Sequence, residues 1–313
     1  MKKLLLILTA LLLVVIISAY IFIPSNLEIS DVATAKTTMN GTYRTMSSKA
    51  YWQKWWNYNN SEKKADQDTT FINGDYTYNL IEASINSALV SLKHNNDTIH
   101  SKISLVQLNA DSIGMMWQCQ LPATANPFIR IQRYFNAVSI KKNIEQVLEN
   151  LKLFVEKDEN IYGMKILKAS IKDSFLISEK KLFKQPPTTN EVYALVNDLK
   201  EYATKNNCIQ TNAPMLNILS DSGEYRVMVA LPVDKKVAPL SAISWIKMVK
   251  GNYMIAHVQG GPGTVQNALQ QMQNYFGDYN KTSMAISFQY LVTDRVKERD
   301  TTKWITEIYA PVL

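Results

Sequence analysis

The first pattern along the chain is an uninterrupted apolar run from Leu4 to Ile23 that contains no charged side chain. An α-helix needs about 20 predominantly apolar residues to cross the hydrocarbon core of a bilayer. Lys2 and Lys3 precede the run, and the first charges after it are acidic. Because Lys and Arg favour the cytoplasmic side, we predict that residues 1–25 form a single-pass anchor in the inner (cytoplasmic) membrane, with the N-terminus in the cytoplasm.

A cleaved signal peptide is the alternative for this segment. Its best cleavage site follows Ala19, but Ile17 occupies the position that must be small. An uncleaved anchor is therefore favoured over a cleaved signal. The rest of the chain is expected on the periplasmic or extracellular side of the membrane.

Residues 26–158 change from short alternations, typical of strands, to one long segment with a helical period. An aromatic helix, Ala50–Asn57, interrupts the strands, and Ser47 and Ser48 mark its start. Asn-rich and Asp-rich turns separate the later strands. The predicted strands are Leu27–Thr38, Tyr76–Ala83, Ala88–His94, Thr98–Leu108 and Ser112–Leu121, and the long helix is Pro127–Glu156.

This order of elements and the cluster of Trp52, Trp55 and Trp56 resemble the START/polyketide-cyclase-like (SRPBCC) superfamily, the helix-grip fold. The resemblance covers most of residues 26–158. It implies an antiparallel sheet around a long C-terminal helix, with an apolar cavity between them. Taken alone, the three tryptophans are more simply explained as core packing, because large aromatic side chains dominate cores.

Residues 162–313 repeat one pattern twice, and Lys157–Asn160 is predicted to be a polar linker before them. Each half is predicted to be strand, helix, strand, strand. The opening strands begin at Phe175 and Tyr253, and the closing strands begin at Tyr225 and Trp304. The elements between them are the helices Thr189–Lys205 and Thr264–Phe276 and the strands Pro214–Leu219 and Met284–Val292. We predict an α+β domain of two homologous halves about a pseudo-twofold axis, with a central cleft.

Several motifs of the second half resemble the GyrI-like family, the effector-binding domains of multidrug-responsive transcription activators. They are Gly251-Asn-Tyr253, Gly260, Tyr290-Leu291 with Asp294, and the ending Thr306-Glu-Ile-Tyr-Ala-Pro311. The resemblance spans nearly all of residues 162–313. It implies that Glu307 is the ligand-contacting glutamate. In the activators a DNA-binding motif precedes this domain, whereas a membrane anchor and a helix-grip domain precede it here, so DNA binding is not implied.

Strand alternation gives an independent argument about Glu307. Alternate residues of a strand share a face, so Glu307 and Tyr309 point the same way. The equivalent of Glu307 in the first half is Met228, which suggests a sheltered face. A partly desolvated carboxylate there requires a positive or hydrogen-bonding partner. One reading is a cationic or hydrogen-bonding ligand held between Glu307 and the rings of Tyr253, Tyr290 and Tyr309. The alternatives are an internal salt bridge, for which Arg226 is the candidate, or simple exposure of Glu307 to solvent.

The net charge of +7 is spread over 313 residues without a dense basic block, so a nucleic-acid partner is not expected. The composition, 46% hydrophobic and 19% charged, is that of a globular protein. Two cysteines, Cys119 and Cys208, cannot form a disulfide framework. His94 and His100 have no acidic or thiol side chain at metal-ligand spacing, so no metal and no cofactor are expected.

Gly260-Gly-Pro-Gly-Thr264 fits no phosphate-binding motif and is predicted to be a tight turn with Thr264 as the helix cap. Three functions remain open. The first is a membrane-tethered protein that senses or sequesters a small hydrophobic or cationic ligand. The second is a small-molecule hydrolase with Glu307 as general base. The third is an interaction module that grips an unknown protein partner in the cleft.

Overall fold

The computed structural model describes residues 2–56, 70–95, 97–171, 175–240, 242–248, 250–283 and 285–312. Asn57, Asn96 and Met284, which belong to predicted elements or turns, lie outside these residues. The chain divides into two compact units, the first ending at Ile161 and the second beginning at Tyr162. Both are built on antiparallel sheets with helices, which agrees with the predicted α+β class.

The first unit begins with helix α1, Lys2–Phe22, which is long and apolar enough to cross a membrane. Ala19 is buried and Ile16 is half-buried, and the other apolar side chains of this helix are exposed. A single helix of this kind near the N-terminus also satisfies the description of a signal sequence.

A six-stranded antiparallel sheet follows, with the strand order β1-β6-β5-β4-β3-β2. One long helix packs against β1 and β6, and its buried stripe includes Ile144, Leu148 and Leu151. The strands are β1 Asn26–Ala35, β2 Phe71–Asn73, β3 Tyr76–Ser84, β4 Ser87–His94, β5 Asp97–Asn109 and β6 Ser112–Pro122. The helices are α2 Met39–Met46, α3 Lys49–Trp56, α4 Pro127–Val155 and α5 Asp158–Tyr162.

The tryptophan cluster belongs to the core of this unit. Trp52, Trp55 and Trp56 are buried, and their rings contact one another and Phe71 at centroid distances of 4.8–5.7 Å. The indole nitrogen of Trp52 donates to the Met46 carbonyl at 2.9 Å. The tryptophans are therefore core residues, as their size alone predicts.

Three features of the first unit differ from the sequence prediction. Strand β1 ends at Ala35, whereas the strand was predicted to continue to Thr38, and the unpredicted helix α2 follows it. Residues 158–160, predicted to be linker, begin the short helix α5. Strand β2 was not predicted, because three residues are too few to show an alternation.

The second unit contains one eight-stranded antiparallel sheet in the order β11-β8-β10-β9-β13-β14-β12-β7. Its strands are β7 Ile166–Ile171, β8 Phe175–Phe183, β9 Met215–Asp221, β10 Glu224–Val233, β11 Ile243–Lys247, β12 Gly251–Gln259, β13 Phe288–Leu291 and β14 Ile305–Val312. Its helices are α6 Thr189–Lys205, α7 Pro262–Asp278 and a 3-10 turn at Thr301–Lys303. The inner order β8-β10-β9 and β13-β14-β12 is that expected of two copies related by a twofold axis.

The sheet must curl strongly. Strands β7 and β8 are six positions apart in the sheet, which is roughly 29 Å in a flat sheet. Only four residue steps connect Ile171 to Phe175, and they span at most about 14 Å. The same argument applies from Lys247 to Gly251. Side chains from both edges, such as Ile171 and Ile246, accordingly meet in one apolar cluster on the concave face.

The opposite face of the sheet carries the helices. Helix α6 covers the first repeat through Val196 and Leu199, which pack against Val227 and Val229 of β10. Helix α7 contacts β12 and β14. The helices thus cover the convex face of the sheet. The side chains of the candidate site lie on the other, concave face.

Candidate functional site

The four predicted site residues lie on one face of the sheet. Tyr290 pairs with Glu307 across β13 and β14, and Tyr253 pairs with Pro311 across β12 and β14. Directly opposed residues of antiparallel strands point to the same side, and Tyr309 shares that side with Glu307 by alternation. The intervening Thr306 and Ile308 are fully buried on the helix side. Strand alternation therefore brings all four side chains together.

Both carboxylate oxygens of Glu307 have a neighbour. The Tyr309 hydroxyl donates to Oε2 at 3.0 Å, and Nδ1 of His257 lies 3.2 Å from Oε1. His257 is more than half exposed, and the contact is an ion pair only when the imidazole is protonated. Arg226, the internal partner considered from the sequence, is exposed on β10, and His257 takes its place beside the carboxylate.

An aromatic cluster surrounds this carboxylate. The Tyr309 ring stacks on Phe288 with centroids 5.3 Å apart and meets the edge of Tyr290 at 4.9 Å. Tyr253 contacts both Phe288 and Tyr309. Burial raises the pKa of Tyr290 to about 12, and the nearby Glu307 charge adds to this. Burial, the Glu307 charge and the hydrogen bond to its carboxylate likewise raise the pKa of Tyr309.

These shifts predict a loss of stability at alkaline pH. A tyrosine whose folded pKa exceeds the ordinary value near 10 holds its proton more tightly when folded. Its contribution is therefore complete below pH 10 and falls by up to about 1.4 kcal/mol per pH unit as pH rises towards 12. We expect Tyr290→Phe to reduce this fall in urea denaturation measured across that range. Tyr134→Phe, on an exposed side chain of the first unit, is the control, and equal pH slopes for Tyr290→Phe and wild type would contradict the assignment.

A cavity of about 180 Å³ opens on the same concave face. Both repeats contribute to its wall, and the lining is mostly apolar. Three methionines line it: Met215, Met228 and Met248. The other lining residues are Leu176, Leu216, Asn217, Ala230, Ile246, Lys247, Tyr253, Ala285, Ile286, Phe288 and Pro311.

The strand register explains why the cavity and the aromatic cluster lie side by side. Val233 pairs with Phe175, and its counterpart Val312 pairs with Asn252. Phe175 is therefore equivalent to Asn252. The sequence pattern alone had matched Phe175 with Tyr253, so the structure shifts the alignment of the opening strands by one residue. In this register the second repeat has larger or more polar side chains than the first. The equivalent pairs are Leu176 and Tyr253, Met215 and Phe288, Met228 and Glu307, and Ala230 and Tyr309.

The smaller side chains of the first repeat therefore leave space at positions where the equivalent residues of the second repeat are aromatic rings and a carboxylate. Glu307 does not line the cavity. Phe288 does, and the stacked Tyr309 ring links Phe288 to the carboxylate. By strand geometry Tyr309 and Pro311 lie roughly 7 and 13 Å from Glu307 along β14. The arrangement supplies an apolar chamber, aromatic faces at one wall and a negative charge behind them.

Two features of the site were not predicted. His257 was not singled out, because its contact with Glu307 depends on the β12–β14 register and no local pattern reveals that register. Phe288 was not singled out, although it begins the four-residue buried strand β13. The Gly260–Thr264 segment also differs from the prediction. Helix α7 begins at Pro262 with Gly261 as N-cap, so Thr264 lies inside the first turn.

Among the described residues no group of three His, Cys, Asp or Glu side chains could hold a metal ion. The polar groups that the concave face presents beside the cavity are the Glu307 carboxylate, the His257 imidazole and the hydroxyls of Tyr290 and Tyr309.

Comparisons with known proteins address the second unit. No curated protein matches the chain. Among solved structures, the EcmrR C-terminal domain is 14% identical with a TM-score of 0.42, and the alignment covers 48% of this chain and 98% of that one. SAV2435 bound to tetraphenylphosphonium is 17% identical with a TM-score of 0.33, covering 48% and 94%. A hydrolase from Listeria innocua is 10% identical with a TM-score of 0.38, covering 48% and 92%.

All three TM-scores lie below 0.5, so the domain is defined by its match to a family model. Residues 183–313 match the model of the GyrI-like small molecule binding domain. This range begins at the end of β8 and contains both helices, the cavity residues on β9 to β14, and Glu307. The C-terminal part of the chain is a GyrI-like domain.

Proposed function

We propose that the protein is a membrane-tethered receptor for small apolar cations, which bind on the concave face of the GyrI-like domain. The observation that carries this proposal is the methionine-lined cavity beside the aromatic cluster of Glu307. Methionine side chains are flexible and polarizable, so they adapt to apolar ligands of different shapes. Small-molecule pockets usually measure about 300–1,000 Å³. The cavity of about 180 Å³ therefore suits a compact ligand, and a larger ligand requires movement of these side chains.

The aromatic rings and the Glu307 carboxylate favour a cation, and they act against the positive charge of Lys247, which also lines the cavity. A cation in the cavity would face the rings of Phe288 and Tyr253, whose electron-rich faces attract positive charge. The Glu307 carboxylate adds a longer-range attraction. At a separation of roughly 10 Å and an effective dielectric constant of about 20, Coulomb's law gives about 1.7 kcal/mol. This is on the order of a tenfold gain in affinity.

Tethering is the second part of the proposal. Helix α1 has the length of a membrane span, and Lys2 and Lys3 precede it. By the positive-inside rule the GyrI-like domain then lies on the periplasmic or extracellular side. The first unit between them is proposed to be a helix-grip domain, because one strand, two short helices, a meander and a long packed helix follow one another in it.

The test is a pair of ligands that differ only in charge. Phenyltrimethylammonium and tert-butylbenzene have the same shape, but only the first is a cation. We expect wild-type protein in detergent to bind the cation more tightly. Glu307→Gln should weaken binding of the cation about tenfold and leave the neutral ligand unchanged, as measured by isothermal titration calorimetry.

Asp294→Asn is the matched control, because Asp294 is another partly exposed carboxylate of the same unit that lies on the loop after β13. Equal affinity of wild type and Glu307→Gln for the cation would refute the electrostatic role of Glu307. A loss of more than a hundredfold would show direct contact between the carboxylate and the ligand, because only desolvated charge pairs have effects of that size.

A further inference from the structure

Helix α4 exposes an unusual set of large apolar side chains in its first three turns. Phe128, Tyr134, Phe135 and Val138 are between 38% and 65% exposed. At 3.6 residues per turn these four positions lie within about 120° of the helix circumference. Contiguous apolar patches on a protein surface mark sites of interaction with a partner or a membrane.

Two positively charged side chains follow the apolar stripe on the same helix. Lys141 and Lys142 follow in the next turn, and both are exposed. Lys142 lies on the same side of the helix as Phe135 by the same spacing. Aromatic and aliphatic groups followed by lysine are typical of helices that lie in the interface of a bilayer with anionic lipids.

Direct contacts hold the start of α4 at the C-terminal end of α1. Nε of Arg130 donates to the Ile23 carbonyl at 2.8 Å, and the guanidinium lies 5.1 Å from the centroid of the Tyr20 ring. The Tyr20 hydroxyl also donates to the Ala125 carbonyl. Ile23 follows the last residue of α1 directly. The first turn of α4 is therefore within side-chain reach of the point where α1 ends.

We propose that the Phe128–Val138 face of α4 lies in the headgroup region of the bilayer that α1 crosses. This inference rests on the proposed membrane anchor. If α1 spans the hydrocarbon core, its end at Phe22 lies at the lipid–water boundary, where aromatic side chains are enriched. The contacts of Arg130 place the first turn of α4 at the same depth, and the proposal requires the next two turns to run along the membrane surface. The first unit is then attached at two places, α1 and α4, which fixes its orientation on the membrane.

The experiment uses the full-length chain in vesicles of phosphatidylcholine and phosphatidylglycerol. Cys119→Ser and Cys208→Ser remove the native thiols, and single NBD labels are introduced through Phe135→Cys, Leu12→Cys or Val106→Cys. Leu12 is in the middle of α1 and reports on the anchor. Val106 is exposed on β5 and pairs with Gly114 of β6. Gly114 is eight residues along β6 from Pro122, and Pro122 pairs with Asn26, the first residue of β1. Val106 therefore lies roughly 26 Å along the sheet from the end of the anchor.

We expect lipids with a nitroxide near the headgroup to quench the label at Phe135→Cys several-fold more than the label at Val106→Cys. The emission of the NBD label at Phe135→Cys should also shift to the blue when vesicles are present. Lipids with a nitroxide deep in the acyl chain should quench Leu12→Cys. Quenching at Leu12→Cys but not at Phe135→Cys would overturn the docking of α4 and leave the anchor in place. Absence of quenching at Leu12→Cys would overturn the anchor itself.

A second copy of the chain is the competing occupant of the α4 face. It would give a blue shift at Phe135→Cys that depends on protein concentration in detergent and that nitroxide lipids do not quench. That outcome would also overturn membrane docking. All three labelled sites are exposed, and circular dichroism of each variant checks that the fold is kept.

Discussion

Trp52→Ala is expected to destabilise the first unit by about 3–5 kcal/mol, the usual cost of deleting a buried tryptophan. Trp52 is fully buried, and its ring centroid lies 4.8 Å from Trp55 and 5.4 Å from Phe71. The substitution opens a cavity among rings that are themselves fixed by α3 and β2. It also removes the donor to the Met46 carbonyl, which leaves that acceptor without its indole partner. Domains are typically stable by only about 5–15 kcal/mol, so a large part of the stability is lost.

Tyr51→Ala is the matched control for this experiment. Tyr51 precedes Trp52 in the same helix but is only half-buried. Hydrogen–deuterium exchange of the full chain should show faster exchange in β3 to β6 for Trp52→Ala, and little change for Tyr51→Ala. Strands β9 and β10 should keep their wild-type protection, because they belong to the other compact unit. Similar exchange in β3 to β6 for the two variants would contradict the role of Trp52 as a core residue, and lost protection in β9 and β10 would contradict independent folding.

The elements that the sequence predicts best are those with long local signals. Helix α6 has the predicted bounds, Thr189–Lys205, because two local features agree on it. Thr188 and Glu191 form a capping box at its start. Val192, Val196 and Leu199 then recur at helical spacing and are buried.

Helix α2, in contrast to α6, was not predicted, because it lacks such local signals. Its sequence, MNGTYRTM, contains glycine and threonines, which favour helices poorly. The helix is held instead by hydroxyl contacts, since Thr38 caps Gly41 and the Thr42 hydroxyl donates to the Thr38 carbonyl. Strands β7 and β11 also escaped prediction. They are the two edge strands of the curled sheet, and their partly exposed side chains do not alternate cleanly.

For the site, alternation within β14 predicts that Glu307 and Tyr309 share a face, and the repeat identifies Met228 as the counterpart of Glu307. The neighbours from other strands could not be predicted in this way. The contact of His257 with Glu307 depends on pairing between β12 and β14, and the cavity depends on curvature that brings both edges of the sheet together. Such long-range features follow from register, which a single-residue shift would change completely.

Ala230→Phe is expected to abolish binding of both the cation and its neutral isostere, with an affinity loss of at least about a hundredfold. Ala230 is buried on β10 and lines the cavity, and its counterpart in the second repeat is Tyr309. The variant therefore places an aromatic ring in the first repeat at the position where the second repeat already has one. The added ring occupies space within the cavity of about 180 Å³, so a compact ligand loses most of its contact surface. Burial of a small aromatic ligand contributes about 25 cal/mol per Å² of apolar surface, so excluding roughly 120 Å² costs about 3 kcal/mol.

Ala194→Phe is the matched control, because it introduces the same side chain on the exposed face of α6. Overpacking a buried site typically costs about 1–3 kcal/mol of stability, so the melting curve of Ala230→Phe must first show a folded protein at the titration temperature. The two binding variants then separate the contributions to affinity. Glu307→Gln removes the charge and affects only the cation, whereas Ala230→Phe removes the space and affects both ligands. If Ala230→Phe is folded and still binds tert-butylbenzene with wild-type affinity, the ligand lies elsewhere, and the concave cavity is not the binding site.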